Sequence, residues 1–207
     1  MTDDDPRDFA SSPCMAHEFE PLSGPDLARW RKAERERLIA LRLAVPAEAR
    51  ARAAEAVACR LDAEVEIGPD TIVSAYWPFR GELDLRGWLG RVIERGGRAA
   101  LPVVVAKGQP LVFRDWHPGA PLERGVWNIP IPAESAEVAP NVVIAPLVGV
   151  DPQSYRLGYG GGFFDRTLAA MTGPRRVIGV GLDCANIPTI HPQPHDIPMD
   201  MVVTEPA

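Results

Sequence analysis

Between Arg156 and Arg166 the chain reads Arg-Leu-Gly-Tyr-Gly-Gly-Gly-Phe-Phe-Asp-Arg, so four of the five positions from Gly158 to Gly162 are glycine. The apolar run Val142 to Val150 before it predicts a buried strand, and Phe163 to Met171 after it predicts a short helix. Glycines at such a junction let the backbone enter φ > 0 and bring its N–H groups close to a ligand. A strand, a bare turn and a helix N-terminus together form an anion cradle. Arg156 and Arg166 flank the turn with positive charge, and Asp165 adds a carboxylate suited to a hard cation. The pattern points to phosphates and their magnesium. It is not a Walker A sequence, because no Gly-Lys-Ser/Thr follows, nor is it Gly-x-Gly-x-x-Gly. On the glycines alone, a flexible surface turn stays open as the alternative.

Other segments could serve the same chemistry. Arg31, Arg35 and Arg42 fall on one stripe of the first helix, where guanidinium groups offer paired donors to phosphate oxygens. A solvated face balanced by Glu34 and Glu36 is the competing reading. Tyr76-Trp77-Pro78-Phe79-Arg80-Gly81-Glu82 ends the first predicted strand with aromatics and a carboxylate. These could stack on a flat heterocycle and accept its ring N–H groups, or be core aromatics beside an exposed glutamate. Trp127 in Trp127-Asn128-Ile129-Pro130 is either a pocket wall or part of a packed loop. In His191-Pro192-Gln193-Pro194-His195-Asp196 the prolines exclude a helical zinc site, while Asp196 is a candidate second carboxylate for magnesium.

The elements that must position these groups alternate. Asp26 is expected to cap a helix running to about Leu43, and Pro46 to open a second over 47–62. Strands are expected over Thr71 to Tyr76, Ala99 to Val105, Pro110 to Trp116, Val142 to Val150, Arg176 to Leu182 and Met201 to Thr204. A helix capped by Asp84 should end at Arg95 before Gly96-Gly97. Residues 117–140 read as a proline-rich loop. The order predicts an α/β fold: a three-layer, Rossmann-like, mostly parallel sheet with helices on both faces. Ligands of such sheets bind beyond the strand C-termini, where the glycine turn falls. Residues 1–24, polar and acidic, read as a flexible tail, and 25–207 as one domain.

Composition narrows the classes. A net charge of −6 argues against a general nucleic-acid binder. Three scattered cysteines, Cys14, Cys59 and Cys184, suggest free thiols in a reducing compartment. No basic leader and no apolar stretch of bilayer length is present, so a cytoplasmic protein without membrane partners is expected.

Taken together, these segments resemble the 5-formyltetrahydrofolate cyclo-ligase (5,10-methenyltetrahydrofolate synthetase) family. The resemblance runs over residues 30–205, through Tyr76-Trp77-Pro78 with Glu82, Leu101-Pro102, Asn128-Ile129-Pro130 and Ala145-Pro146-Leu147 with Asp151. It continues through the Arg156-to-Arg166 signature, His195-Asp196 and Val203-Thr204-Glu205. It implies an ATP- and magnesium-dependent ring closure on a reduced folate, by a monomer or weak homodimer. It assigns ATP to Arg31, Arg35 and the turn Arg156, Leu157, Gly158, Tyr159, Gly160, Gly161, Gly162, Phe163 and Phe164. It assigns the metal to Asp165 and Asp196, catalysis to Arg156 and Asp165, and folate to Trp77, Glu82 and Trp127. Departures from the family pattern are Arg31 in place of a lysine, Ser154 in place of a glycine, Gly161 where some members carry lysine, and Phe163-Phe164 in place of two tyrosines. A non-catalytic nucleotide- or folate-binding relative and a sugar-phosphate isomerase on a similar scaffold are the other readings.

Overall fold

The computed structural model describes residues 22–205. It opens with α1 (Gly24–Ala44) and α2 (Ala47–Glu64), then β1 (Ile72–Ser74), α3 (Arg86–Glu94), β2 (Arg98–Val103) and β3 (Val112–Trp116). Short strands follow: β4 (Leu122–Arg124), β5 (Pro130–Pro132) and β6 (Glu137–Val138). The remainder is β7 (Val142–Pro146), β8 (Gly149–Val150), β9 (Arg156–Leu157), α4 (Phe163–Ala170), β10 (Arg176–Gly181) and β11 (Met201–Thr204).

Seven strands make one sheet in the order β11-β10-β7-β1-β2-β3-β6. β11 through β2 are parallel, whereas β3 and β6 add an antiparallel edge. The mostly parallel α/β sheet expected from the sequence is therefore present. Alternation along β7 explains the layers. Val142 and Ile144 join the core of α2 and α3, while Val143 and Ala145 join Leu168 of α4. On α2 the residues Ala53, Ala54, Val57, Ala58 and Leu61 form the buried stripe that a 3.6-residue period requires. α1 packs on segments that follow β7, with Leu38 against Val148, Leu157, Ile187 and Ile190.

Several boundaries differ from the expectation. α1 starts at Gly24 with Pro25 in its first turn, so Asp26 lies inside the helix instead of capping it. The proposed tail otherwise falls on residues outside those described. Asp84 does accept the Arg86 N–H at 3.1 Å, but the N-cap position is Leu85, one residue after the expected Asp84. The run Val142–Val150 is two strands, because the chain leaves the sheet after Pro146 and pairs β8 with β9. Residues 117–140 contain the β4–β5 ladder and β6, since proline tolerates strands that pair on one side only.

Asp151 shapes the link from β8 to β9. Its buried carboxylate (the residue is 4% exposed) accepts N–H groups from Gln153 at 3.1 Å, Tyr155 at 3.0 Å and Ile190 at 3.2 Å. Ser154, in the left-handed region at φ 64°, turns the chain back at this point. Removing the carboxylate leaves three backbone donors without their acceptor, a cost of about 3 kcal/mol. Urea unfolding of Asp151→Ala should show a loss of that size; a stability equal to that of the parent would contradict this role.

Candidate active site

The glycine turn hangs between β9 and α4. Gly162 begins the helix from the left-handed region at φ 63°, a conformation open to glycine at little cost. Gly158 is bare for a different reason: a Cβ there would stand 2.5 Å from Nη1 of Arg156. The missing side chain lets the guanidinium fold under the turn, where it stacks 4.7 Å from the centre of the Phe164 ring. Arg166 donates to the carbonyl of Gly161, and Thr167 pins α4 by accepting the Leu111 N–H at 2.8 Å.

Arg156 is 8% exposed, and its Nε has no hydrogen-bond partner among the described residues. Its nearest anion is Asp165, with Nη2 and Oδ2 3.6 Å apart, too far for a hydrogen bond. Burial lowers the guanidinium from its usual pKa, and the fields of Asp165, Asp196 and Glu82 act in the opposite direction. A buried cation with free donors is costly unless an anion arrives to meet it.

Two arginines of α1 brace the site. Arg35 Nε donates to the Gly158 carbonyl at 2.6 Å and so fixes the turn. Arg31 reaches the segment after β10, donating to the carbonyls of Ile190 at 3.1 Å and His191 at 2.9 Å and pairing with Asp196 at 2.5 Å. Burial alone would raise the Asp196 carboxyl. Hydrogen bonds from Arg31 and the Gln193 N–H, with the Arg31 charge, outweigh it and hold the group below the usual carboxylate range. Asp165 Oδ1 faces the Ile197 N–H at 3.4 Å. Arg42, on the stripe that sequence linked to phosphates, instead turns inward to the carbonyls of Arg80 and Leu147.

Opposite the turn lies an aromatic slot. Trp127 is 55% exposed and sits 6.5 Å from the Tyr159 ring and 6.4 Å from that of Phe163. Its backbone is left-handed at φ 56°, which holds the indole out from the β4–β5 connection. Trp77 packs under the Arg86 guanidinium, 4.3 Å from its ring. Glu82 accepts the Phe79 N–H at 2.9 Å and the Tyr159 hydroxyl at 2.8 Å. Burial raises its pKa to about 7 despite the opposing Arg42 charge.

These groups share one cavity of about 210 Å³. Arg31, Arg35, Trp77, Glu82 and Trp127 line it with every residue from Arg156 to Asp165, and Asp196 closes it. His195 stands at the same rim. Tyr76 and Phe79, from the aromatic segment read as able to stack on a heterocycle, also line the cavity, as do Leu111 and Ile131, which sequence did not single out because apolar strand ends look alike whether they face core or cleft. Asp165 and Asp196 both line the cavity, Asp196 held by Arg31 and the Gln193 N–H; carboxylate oxygens are the donors that magnesium takes, one or two of them, alongside water and phosphate.

Comparison with known proteins identifies the family and the fold. The sequence model of the 5-formyltetrahydrofolate cyclo-ligase family matches residues 28–205. The 5-formyltetrahydrofolate cyclo-ligase of Escherichia coli strain K12 is 34% identical over 140 residues, covering 64% of this chain and 76% of that protein. The Mycolicibacterium smegmatis cyclo-ligase is 36% identical over 141 residues, covering 64% and 72%. The solved 5,10-methenyltetrahydrofolate synthetase of Aquifex aeolicus superposes with a TM-score of 0.73 at 28% identity, over 84% of this chain and 89% of that one. That of Mycoplasma pneumoniae, at 20% identity, shares the fold with a TM-score of 0.70 over 85% and 99%. The glycine signature, the sheet order and these matches agree: the chain belongs to the 5-formyltetrahydrofolate cyclo-ligase family of ligases.

Proposed function

We propose that this chain converts 5-formyltetrahydrofolate to 5,10-methenyltetrahydrofolate, consuming ATP in a magnesium-dependent reaction and releasing ADP and phosphate. The observation that supports the reading is Arg156: a buried cation with an unsatisfied Nε under a bare turn, in the same cavity as an aromatic slot. The turn and the guanidinium suit a triphosphate, and the slot with Glu82 suits a flat heterocycle bearing N–H donors. A sugar phosphate would use the first half of the cavity and leave the aromatic half without a purpose.

The chemistry follows from the substrate. The N5-formyl group is an amide, so resonance with nitrogen makes its carbon a poor electrophile. Transfer of the γ-phosphoryl group of ATP to the formyl oxygen turns that oxygen into a leaving group. Folate N10 attacks the carbon, the N10 proton and the phosphate depart, and the methenyl bridge closes. The protein's share is positioning and charge neutralisation. Backbone N–H groups of 158–162 hold phosphate oxygens, with the turn steadied by Arg35. Arg156 faces the negative charge that develops on the migrating group. Arg31 holds Asp196 in place beside Asp165. Magnesium on these two carboxylates would draw off further phosphate charge. Glu82 accepts N–H donors of the pterin, with Trp77 and Trp127 as walls.

Methenyltetrahydrofolate should appear from 5-formyltetrahydrofolate only when ATP and magnesium are both supplied, and Asp165→Asn should lower that rate by about 100-fold or more while the protein stays folded. Product without nucleotide, or near-parental turnover by the variant, would count against the assignment. The protonation of Glu82 gives a second check. Its carboxylate must be ionised to accept two donors, and its pKa is raised to about 7. kcat/KM for the folate should therefore fall as pH drops through about 7, with a one-proton slope. Glu82→Gln should abolish that limb; a limb that survives the substitution belongs to another group.

A further inference from the structure

One hydroxyl joins the two halves of the cavity. Tyr159 stands between Gly158 and Gly160 in the turn, yet its hydroxyl lies 2.8 Å from Oε1 of Glu82. Arg42 Nη2 donates to the same hydroxyl at 2.6 Å. A guanidinium accepts nothing, so the hydroxyl oxygen takes that bond and its single proton is left to donate. Glu82 is the near acceptor, and the Phe79 carbonyl at 3.4 Å is the far one.

Arg42 is itself held in place. It is 5% exposed, with Nε on the Arg80 carbonyl at 2.9 Å and Nη1 on that of Leu147 at 3.1 Å. The second Glu82 oxygen takes the Phe79 N–H at 2.9 Å. Each carboxylate oxygen thus carries one fixed donor and keeps a lone pair for the cavity. The result is a pair of parallel acceptors, the complement of a heterocycle with two adjacent N–H groups.

We infer that Tyr159, with Arg42 behind it, is a positioning residue that aims the Glu82 carboxylate at paired N–H donors of the substrate, so that one turn serves the heterocycle as well as the phosphates. The identity of that heterocycle rests on the cyclo-ligase reading; the positioning role does not. The charged and titratable groups facing Glu82 are Arg42 from α1, Arg156 from β9, Tyr76 after β1 and Tyr159 itself. The two guanidinium groups and the Tyr159 hydroxyl favour the carboxylate, and burial opposes it. Loss of the hydroxyl therefore moves the balance toward the protonated acid.

Tyr159→Phe tests the role, since it keeps the ring beside Trp127 and Phe79. It should raise KM for 5-formyltetrahydrofolate about 10-fold, the cost of one bond to a charged group, with a far smaller change in kcat. The acid limb of kcat/KM should move to higher pH. In a Glu82→Gln background the same substitution should cost nothing further, whereas a merely structural role would cost the same in both. Carbon-13 titration of the Glu82 carboxyl, which needs no turnover, should give a higher midpoint in Tyr159→Phe than in the parent. An unchanged KM and acid limb, an equal penalty in both backgrounds, or an unmoved carboxyl titration would overturn the inference. If the parent itself lacks cyclo-ligase turnover, that reading fails and the carboxyl titration alone decides the role of Tyr159.

Discussion

The site depends on a buried cation whose hydrogen bonds are left incomplete. Arg156 is folded beneath Gly158 and stacked on Phe164, with its Nε buried and unsatisfied among the described residues and Asp165 3.6 Å from Nη2. Leaving a guanidinium in that state costs free energy that folding alone does not recover. Much of the local structure makes the placement possible. The absent Cβ at Gly158 supplies the space, α4 supplies the ring, and Asp151 folds the chain that leads into β9. An anion entering the cavity would complete the bonds that the protein omits, which is how binding energy becomes available for chemistry.

α1 is the second organising element. It lies over the segments that follow β7, so one stripe of arginines reaches three parts of the site. Arg31 fixes the loop that carries Asp196, Arg35 fixes the glycine turn, and Arg42 fixes Tyr159. Each is tied to at least one backbone carbonyl, and Arg31 and Arg42 also to a side chain, Asp196 and Tyr159. The helix is a brace, and two of these three arginines, Arg31 and Arg35, also face the cavity.

The alternation of helices and strands, and the parallel sheet, were legible because β-branched runs alternate with helical periods at short spacing. The strands expected over Ala99 to Val105 and Pro110 to Trp116 were legible as apolar runs, and they pair as β2 and β3. The break inside Val142–Val150 was not, since an apolar run looks the same whether it continues in a sheet or leaves it for a two-residue ladder. The strands within 117–140 were hidden by prolines that occupy one-sided pairings. The candidate residues were legible as types, and the structure brings Trp77, Glu82, Trp127, the turn and both aspartates to one cavity. The inward turn of Arg42 was not legible, because a helical stripe gives direction only relative to neighbours that lie far away in sequence.

Unfolding of Arg156→Met by urea, with and without MgATP, tests the stored cation most directly. Without ligand the variant should lose little stability, since the apolar side chain keeps the contact with Phe164 and removes a buried charge whose hydrogen bonds are incomplete. With MgATP at 100 times its parental Kd, the parent should gain about 2.7 kcal/mol and the variant almost none. A variant that loses several kcal/mol in the absence of ligand yet keeps the full MgATP gain would contradict the account.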